Sequence, residues 1–410
     1  MPVNVLYLVR TWGIGGTHTL MRLLLRNLGE KGFRIMVAGY APSNPVDEEF
    51  FEILRREGHE VLPERIPWGG PPSWLSARRA IADLAAKYDI RIIHTHDNVS
   101  NLIVAYTNTR QPCARVASAY GWFEPKSNVQ IVSGDGWFDG WSRRKLLLYY
   151  WIDLNLALPR FDVVYTVSHT MKRKLLTGRT AAQRICVVYT GIEADKFGQG
   201  SRRNEVRRHF RLPEDSIVVG TVSRLSGEKG HIVLLDAAQR LAKDLPELRL
   251  LIVGRGYMRE QIERRAKDLG IAGRVVLAGY YEDLPGVLAS MDIFALPSLL
   301  DEGLPTSVLE AQAAGLPVVA SDAGGTCESI APDLTGLLVP PGDASALGNA
   351  LAALAKNKQL RLEMGMRARE RVRQCFTVER MMSEIAAVYR HSMLKTRQCP
   401  DSPEVAPERW

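Results

Sequence analysis

The sequence predicts an α/β protein built from two Rossmann-like, doubly wound domains. Three observations carry that expectation. Its 410 residues exceed what one hydrophobic core usually serves. Short apolar runs recur along the chain, each bounded by polar, glycine or proline residues, and helical patterns separate them. The composition, 46% hydrophobic and 24% charged, is that of a globular chain able to bury such cores.

In the N-terminal half the apolar runs are "VNVLYLV", "FRIMVAGY", "IRIIHTH", "ARVASAY", "DVVYTVS" and "RICVVYT". In the C-terminal half they are "SIVVGTVS", "LRLLIVG", "RVVLAGY", "DIFALPS" and "LPVVASD". Runs this short and continuous read as buried parallel strands. Between them, Leu20, Leu24 and Leu28 follow "GGTH" at helical spacing, and "GYMREQIERRAKDLG" covers one helix face with charge. Strand–helix alternation carried through twice gives two doubly wound domains. Periodicity lapses between Gly191 and Ser216, and a second sheet is expected to start at Ile217. The domains are therefore drawn as 1–200 and 201–376, followed by an amphipathic helix over 377–393 that returns to the front domain. The residues 396–410, rich in proline and charge, read as a disordered tail.

Composition narrows the function. Cys113, Cys186, Cys327, Cys375 and Cys399 are scattered without any Cys-x-x-Cys spacing, which fits a reducing cytoplasm better than a disulfide framework or zinc ribbon. No uncharged apolar stretch approaches the length of a membrane span, and "MPVNVLYLVR" reads as a strand rather than a signal peptide. Residues 1–215 hold 30 Lys/Arg against 21 Asp/Glu, and the remainder 23 against 24. The front half is suited to an anionic partner, although a solvated basic surface accounts for the same numbers.

The stretch "DEGLPTSVLEAQAAGLPVV" places Glu302 and Glu310 eight positions apart around a Gly303-Leu304-Pro305 break. Pro305 suits the first position of a helix running to about Ala314, with Gly315 as its stop. The N–H groups of Thr306, Ser307 and Val308 would then face outward with the positive end of the helix dipole, an arrangement that binds phosphate. Each glutamate suits vicinal sugar hydroxyls, since one carboxylate accepts two hydrogen bonds. The plainer reading makes Glu310 a dipole-compensating acid and Glu302 a loop charge. A second constellation weighs against that. "GTVSRLSGEKGH" sets Arg224 and Lys229 just past a strand end, at the sheet edge where open α/β folds bind ligands. Two cations there would neutralise a diphosphate.

Together, "GTVSRLSGEKG", "LLIVGRGYMREQIERRAKDLG", "DEGLPTSVLEAQAAGLPVVASDAGGTCESI" and "GLLVPPGD" occur in an order that resembles the donor-binding domain of family-four retaining glycosyltransferases. Glu302 and Glu310 meet that family's Glu-x7-Glu signature. "GIGGTHTLMRLLLRNLGEKGFRIMVAG" and "IRIIHTHD" are similar, more loosely, to its front domain. The resemblance implies the GT-B fold, two Rossmann-like domains facing a central cleft that holds a nucleotide-diphosphate sugar. It gives Arg224 and Lys229 the diphosphate, Glu302 the donor sugar with the chain from Gly303 through Leu304 and Pro305 to Thr306 and Ser307 beside it, and Glu310 the ribose. Gly254, Gly256, Tyr280 and Tyr281 would border the nucleobase, and Gly15 and Gly16 would let the front backbone approach the phosphates. Configuration would be retained without a side-chain nucleophile. No Asp-x-Asp occurs, so no metal and no other cofactor is expected.

Two positions depart from the family pattern. Tyr120-Gly121 stands where a His-Gly is usual, and Thr190 where an asparagine is common. Tyr120 and His96 are therefore the candidate polar groups on the front side. His94 and His96 alternate on a strand without a third metal ligand nearby, and "GIGGTH" and "GRGYMR" lack the third glycine of a nicotinamide fingerprint. Trp141 to Leu158, basic and then aromatic, fits an interfacial helix or core packing equally well. The expected activity is transfer of a hexose to a glycan or lipid-linked glycan, by a cytoplasmic protein peripheral to an anionic membrane face, with no nucleic-acid partner. A nucleotide-sugar epimerase and a non-catalytic nucleotide-sugar-binding subunit remain the alternatives.

Overall fold

The computed structural model describes residues 2–9, 16–41, 45–69, 73–121, 143–198, 202–394 and 400–403. The chain divides into two compact units, the first taking in the described residues up to Thr190 together with 378–403, the second running from Gly191 to Thr377.

In the first unit the strands are β1 (Val3–Val9), β2 (Phe33–Ala41), β3 (Glu60–Pro67), β4 (Ile92–Thr95), β5 (Ala114–Ala119), β6 (Val163–Thr166) and β7 (Ile185–Val187). They form one parallel sheet in the order β3-β2-β1-β4-β5-β6-β7. Apart from the edge strand β3, which carries Glu60, Glu64 and Arg65, the strands are short and mostly apolar because helices cover the sheet. The helices are α1 (Gly16–Asn27), α2 (Pro45–Arg56), α3 (Trp74–Lys87), α4 (Asn98–Ala105), α5 (Arg143–Ile152) and α6 (His169–Leu175). After α5 the chain continues as a π-helical turn over Asp153–Ala157.

The second unit holds α7 (Arg203–His209), β8 (Ile217–Val222), α8 (His231–Leu241), β9 (Leu248–Val253), α9 (Arg259–Asp268), β10 (Val275–Gly279), α10 (Leu284–Ala289) and β11 (Ile293–Leu296). It continues with α11 (Thr306–Ala313), β12 (Val318–Ser321), α12 (Thr326–Ser329), β13 (Gly336–Val339), α13 (Ala344–Lys356) and α14 (Lys358–Cys375). Its parallel sheet has the order β10-β9-β8-β11-β12-β13. Strand order therefore reverses beside β8, which has β9 on one side and β11 on the other. The reversal opens a crevice beyond the carboxyl ends of β8 and β11. Every candidate site residue of this unit except those of the β9 and β10 loops sits in the connections that leave these two strands.

The last helix, α15 (Val378–Leu394), belongs to the first unit. Met381, Met382, Ile385, Val388 and Tyr389 recur at helical spacing and are buried in that unit's core with Tyr7, Leu24 and Phe33. The segment 191–198 groups with the second unit, because Ile192 bridges Thr377 and its N–H bonds the Phe376 carbonyl at 2.9 Å. Within the stretch whose composition reads as disordered, Asp401 and Ser402 are tied down. Asp401 pairs with Lys172 and accepts the Val187 N–H at 2.6 Å, while the buried Ser402 donates its N–H to the Val187 carbonyl at 2.9 Å. Side-chain capping of the β7 edge holds this piece where composition alone predicts none.

Candidate active site

The loop after β8 is built by backbone pairing with the loop after β9. Leu225 donates to the Arg255 carbonyl and Met258 to the Leu225 carbonyl, each at 2.9 Å. Gly254 and Gly256, at φ +144° and +159°, sit against this loop so closely that a Cβ would lie 1.9 Å from the Ser223 carbonyl oxygen and 2.2 Å from that of Leu225. Their role in the structure is this loop-to-loop approach, which fixes where Arg224 emerges. Arg224 is half-exposed and reaches Glu228 at 3.4 Å, a loose surface pair that leaves most of its N–H groups to solvent.

Lys229 closes a 3₁₀ turn, Gly227–Lys229, and its ammonium lies 2.6 Å from Oε1 of Glu302. Glu302 comes from the other switch-point loop, that after β11. Its backbone is clasped on both sides, its N–H bonding the Ala323 carbonyl at 3.3 Å and its carbonyl accepting the Gly325 N–H at 2.7 Å. Ser298 donates its hydroxyl to the same Oε1 at 2.6 Å. Burial works against the charge on Glu302. The Lys229 ammonium beside it, with the hydrogen bonds from Lys229 and Ser298 and the nearby Arg224 guanidinium, nevertheless holds its carboxyl below the usual range. Arg224, Lys229 and Glu302 thus form one electrostatic cluster. Within it, Lys229 and Glu302 compensate one another.

Pro305 caps α11, one residue earlier than a first helical position. The Val308 N–H, expected to face outward, is taken by the Pro305 carbonyl at 3.1 Å, because the first turn tightens around the cap. The N–H groups of Thr306 and Ser307 have no partner among the described residues. Leu304 is buried and Gly303 and Pro305 are covered, so this stretch offers a ligand its backbone rather than its side chains. Glu310 is half-buried in the second turn, and burial alone raises its carboxyl from 4.5 to about 7. A carboxyl raised in the folded state is neutral there while the unfolded chain ionises, so stability falls as pH climbs from about 4.5 through about 7. The form that accepts two hydroxyls predominates only above about 7.

Tyr280 is 55% exposed with the Arg255 guanidinium 5.4 Å from its ring centre, a flat cationic and aromatic surface at the β10 end. Tyr281, grouped with it from sequence, instead packs on His209 and Phe210, at 5.4 and 5.2 Å between ring centres. Adjacent residues leaving a strand point to opposite sides, and only one of the two faces the loop end.

In the first unit, Gly16 opens α1, and Gly15 lies outside the described residues. His96 and Tyr120 stack at 5.9 Å, and Nδ1 of His96 shares hydrogen bonds with the Tyr120 hydroxyl at 2.8 Å and Ser118 Oγ at 3.0 Å. Tyr120 further meets the Tyr165 hydroxyl at 3.2 Å. Burial pushes His96 down to about 3, so it stays neutral at physiological pH. Its Nε2 is buried without a hydrogen-bond partner among the described residues. The Tyr120 hydroxyl is thus committed inward to His96 and Tyr165. His94 is a satisfied core residue on one side, its Nδ1 2.7 Å from the Tyr389 hydroxyl of α15.

Sequence reasoning missed Ser298, Arg255 and His231. His231 opens α8 buried, with Nε2 3.0 Å from Ser223 Oγ, and so braces the Arg224 loop from beneath. The position of His231 inside "GEKGH" was its only signal. Ser298 had none, because its partner Glu302 is reached through the fold of the loop.

With this geometry in view, residues 202–371 match the family described as "Glycosyl transferases group 1" and residues 14–196 that described as "Glycosyltransferase Family 4". The GDP-mannose-dependent alpha-(1-6)-phosphatidylinositol monomannoside mannosyltransferase of Mycolicibacterium smegmatis is 32% identical over 343 residues, 80% of this chain and 84% of that protein. The chain belongs to glycosyltransferase family four. The UDP-Gal:alpha-D-GlcNAc-diphosphoundecaprenol alpha-1,3-galactosyltransferase of Escherichia coli is also similar, 24% identical over 310 residues, 74% of this chain and 75% of that one. Among solved structures, a glycosyltransferase from Rickettsia africae superposes with a TM-score of 0.77 at 20% identity, covering 96% of this chain and 99% of that one. Anabaena HepE in complex with UDP follows at 0.76 and 22%, covering 94% and 98%. The fold is GT-B, an α/β architecture of two parallel-sheet, Rossmann-like domains. In this glycosyltransferase Arg224, Lys229, Glu302 and Glu310 all fall inside the group 1 match, and His96 and Tyr120 inside the family-four match.

Proposed function

We propose that this glycosyltransferase moves a hexose from a nucleotide-diphosphate sugar to a lipid-linked or polysaccharide glycan, retaining the anomeric configuration and using no metal or other cofactor. The observation that carries the reading is the convergence of Arg224 and Lys229 on Glu302 beside the open N–H groups of Thr306 and Ser307. Cations and helix-end N–H groups are what a diphosphate requires, and a carboxylate beside them is what a sugar's hydroxyls require. The Lys229–Glu302 pair is an exchange site: the incoming phosphate takes Lys229 and the sugar's hydroxyls take Glu302, so the ligand replaces one compensated arrangement with another. Glu310 takes the ribose, and Tyr280 with Arg255 borders the base.

In the transfer step the bond from the anomeric carbon to the phosphate oxygen breaks while the acceptor oxygen bonds the same carbon on the same face. The acceptor's proton passes to the departing phosphate. Arg224 and Lys229 stabilise the charge that grows on that phosphate, and the remainder is positioning. Relatives that carry the names of a phosphatidylinositol mannoside mannosyltransferase and a diphosphoundecaprenol galactosyltransferase support an acceptor of lipid-linked type. Transfer in excess EDTA, with the product anomer read by NMR, tests the chemistry. Full activity and an axial-to-axial outcome are expected for an α-linked donor, whereas loss in EDTA or inversion would overturn the retaining, metal-free reading.

The site of action in this reading is the cytoplasmic face of an anionic membrane. No helix among the described residues is long and apolar enough to span one. Trp141 lies outside the described residues, but α5 exposes Leu147, Leu148 and Trp151 at 43%, 57% and 53%, next to the exposed Arg144 and Lys145. Leu146, Tyr149 and Tyr150 on its other side are buried, so the helix divides between core and an apolar, cation-flanked outer face. Co-flotation with anionic vesicles at low ionic strength is expected, and its absence would remove the membrane from the account.

A further inference from the structure

A cavity of about 610 Å³ lies at the amino edge of the first unit's sheet, the opposite end from the carboxyl edge where its ligands are sought. The residues just upstream of β4, β5 and β6 wall it, together with the loop 108–112 and the last turn of α15. Its charge is one-sided. Arg91, Arg110, Arg115 and Arg160 line it against a single carboxylate, Asp162.

These arginines are not accounted for by internal pairing. Arg91 is exposed, and its guanidinium has no partner among the described residues. Arg110 reaches Asp83 at 3.4 Å with both side chains mostly in solvent, a pair of little strength. Arg115 donates to the Thr107 carbonyl at 2.7 Å, and Arg160 stacks 4.3 Å over the Tyr106 ring, so both are pre-positioned by neutral groups. Asp162 accepts the backbone N–H of Arg115 at 2.8 Å, and among the described residues it pairs with none of the four guanidinium groups. Asp89, near Cys113, is a third acidic neighbour after Asp162 and Asp83. The carboxyl end of α15 adds roughly half a negative charge. Four guanidinium groups against these three carboxylates and the helix end leave the walls slightly cationic, and the N–H groups of Asn108, Thr109 and Arg110 are without partners among the described residues.

We propose that this cavity binds a phosphate ester. Fork-shaped guanidinium donors and free backbone N–H groups suit a tetrahedral oxyanion. The volume, in the range of small-molecule sites, leaves room for an organic group beyond the phosphate. The Tyr106 ring, 4.3 Å from the Arg160 guanidinium, sets an aromatic group against one wall. The source is either a soluble phosphate ester or a lipid headgroup. The inference does not rest on the donor site, since none of its residues belongs to the second unit.

The test uses the full chain carrying Arg224→Ala and Lys229→Ala, so that the donor-side cations do not contribute. Two probes are used, inorganic pyrophosphate in calorimetry and phosphatidylglycerol vesicles against phosphatidylcholine vesicles in flotation. Arg91→Glu with Arg110→Glu, both exposed positions, is expected to weaken one of the probes by about tenfold or more, while Arg91→Lys with Arg110→Lys stays close to the parent. Loss with pyrophosphate assigns a soluble ligand, and loss confined to phosphatidylglycerol assigns a headgroup. Parent and Glu variant binding both probes alike, at unchanged melting temperature, would overturn the proposal, as would a parent that binds neither. Nucleotide binding by the otherwise wild-type chain carrying the Arg91 and Arg110 changes reports separately on the donor reading.

Discussion

Glu302→Gln is expected to lower sugar transfer by about 10²–10³-fold, the scale seen when one preorganised polar group is taken from a transition-state site. The amide keeps the volume and still accepts the Ser298 hydroxyl, and the backbone clasp by Ala323 and Gly325 does not involve the side chain. The charge that holds Lys229 in register and orients the sugar's hydroxyls is lost. Melting temperature should fall as well, because the Lys229 and Glu302 side chains are only 17% and 16% exposed and the amide leaves the Lys229 ammonium without its charge partner. Steady-state kinetics and a thermal melt on the same preparation check this. Transfer within a few-fold of wild type would show that Glu302 has no part in the chemistry.

Gly230→Ala is expected to destabilise the second unit by about 3 kcal/mol or more, a fall of roughly 6–12 °C in melting temperature for a unit of this size. Gly230 stands at φ +69°, between the turn that carries Lys229 and the first residue of α8. A left-handed alanine costs about 1 kcal/mol by itself. Its Cβ would also lie 1.9 Å from the Pro297 carbonyl oxygen, which is backbone at the end of β11 and has little freedom to withdraw. Gly273→Ala in the same unit is the control: nothing lies within 4 Å of its Cβ and its φ is not left-handed, so a change within about 0.5 kcal/mol is expected. Equal stability of the two variants would contradict the packing described for the Lys229 loop.

Much of this fold was legible because both sheets are parallel and covered, so that most strands stand out as short apolar runs, whereas the edge strand β3, which carries Glu60, Glu64 and Arg65, does not. Ile217 as the start of the second sheet and Gly315 as the stop of α11 follow from local signals that tertiary context did not override. The candidate site was legible in its charged residues, since Arg224, Lys229 and Glu302 lie in loops whose position at a switch point follows from strand order. What sequence could not carry was direction. Tyr280 and Tyr281 differ by one residue and diverge, one to solvent and one onto His209 and Phe210. Val308 loses its free N–H to a tightened first turn. Tyr120 turns its hydroxyl inward because His96 and Tyr165, distant in sequence, bring their polar atoms to it. Asp401 and Ser402 are held by an edge strand that composition does not see. Each depends on partners brought together by the sheet rather than on neighbours along the chain.

The central claim is that the loops after β8 and β11 hold the diphosphate of a nucleotide sugar, and thermal melts with uridine, guanosine, adenosine and thymidine diphosphates, in EDTA, address it most directly. The account predicts stabilisation of the wild type by at least one base, larger at pH 8 than at pH 6 because Glu310 must ionise, and absent in Arg224→Ala. No shift with any of the four, or a shift that Arg224→Ala preserves in full, would contradict it.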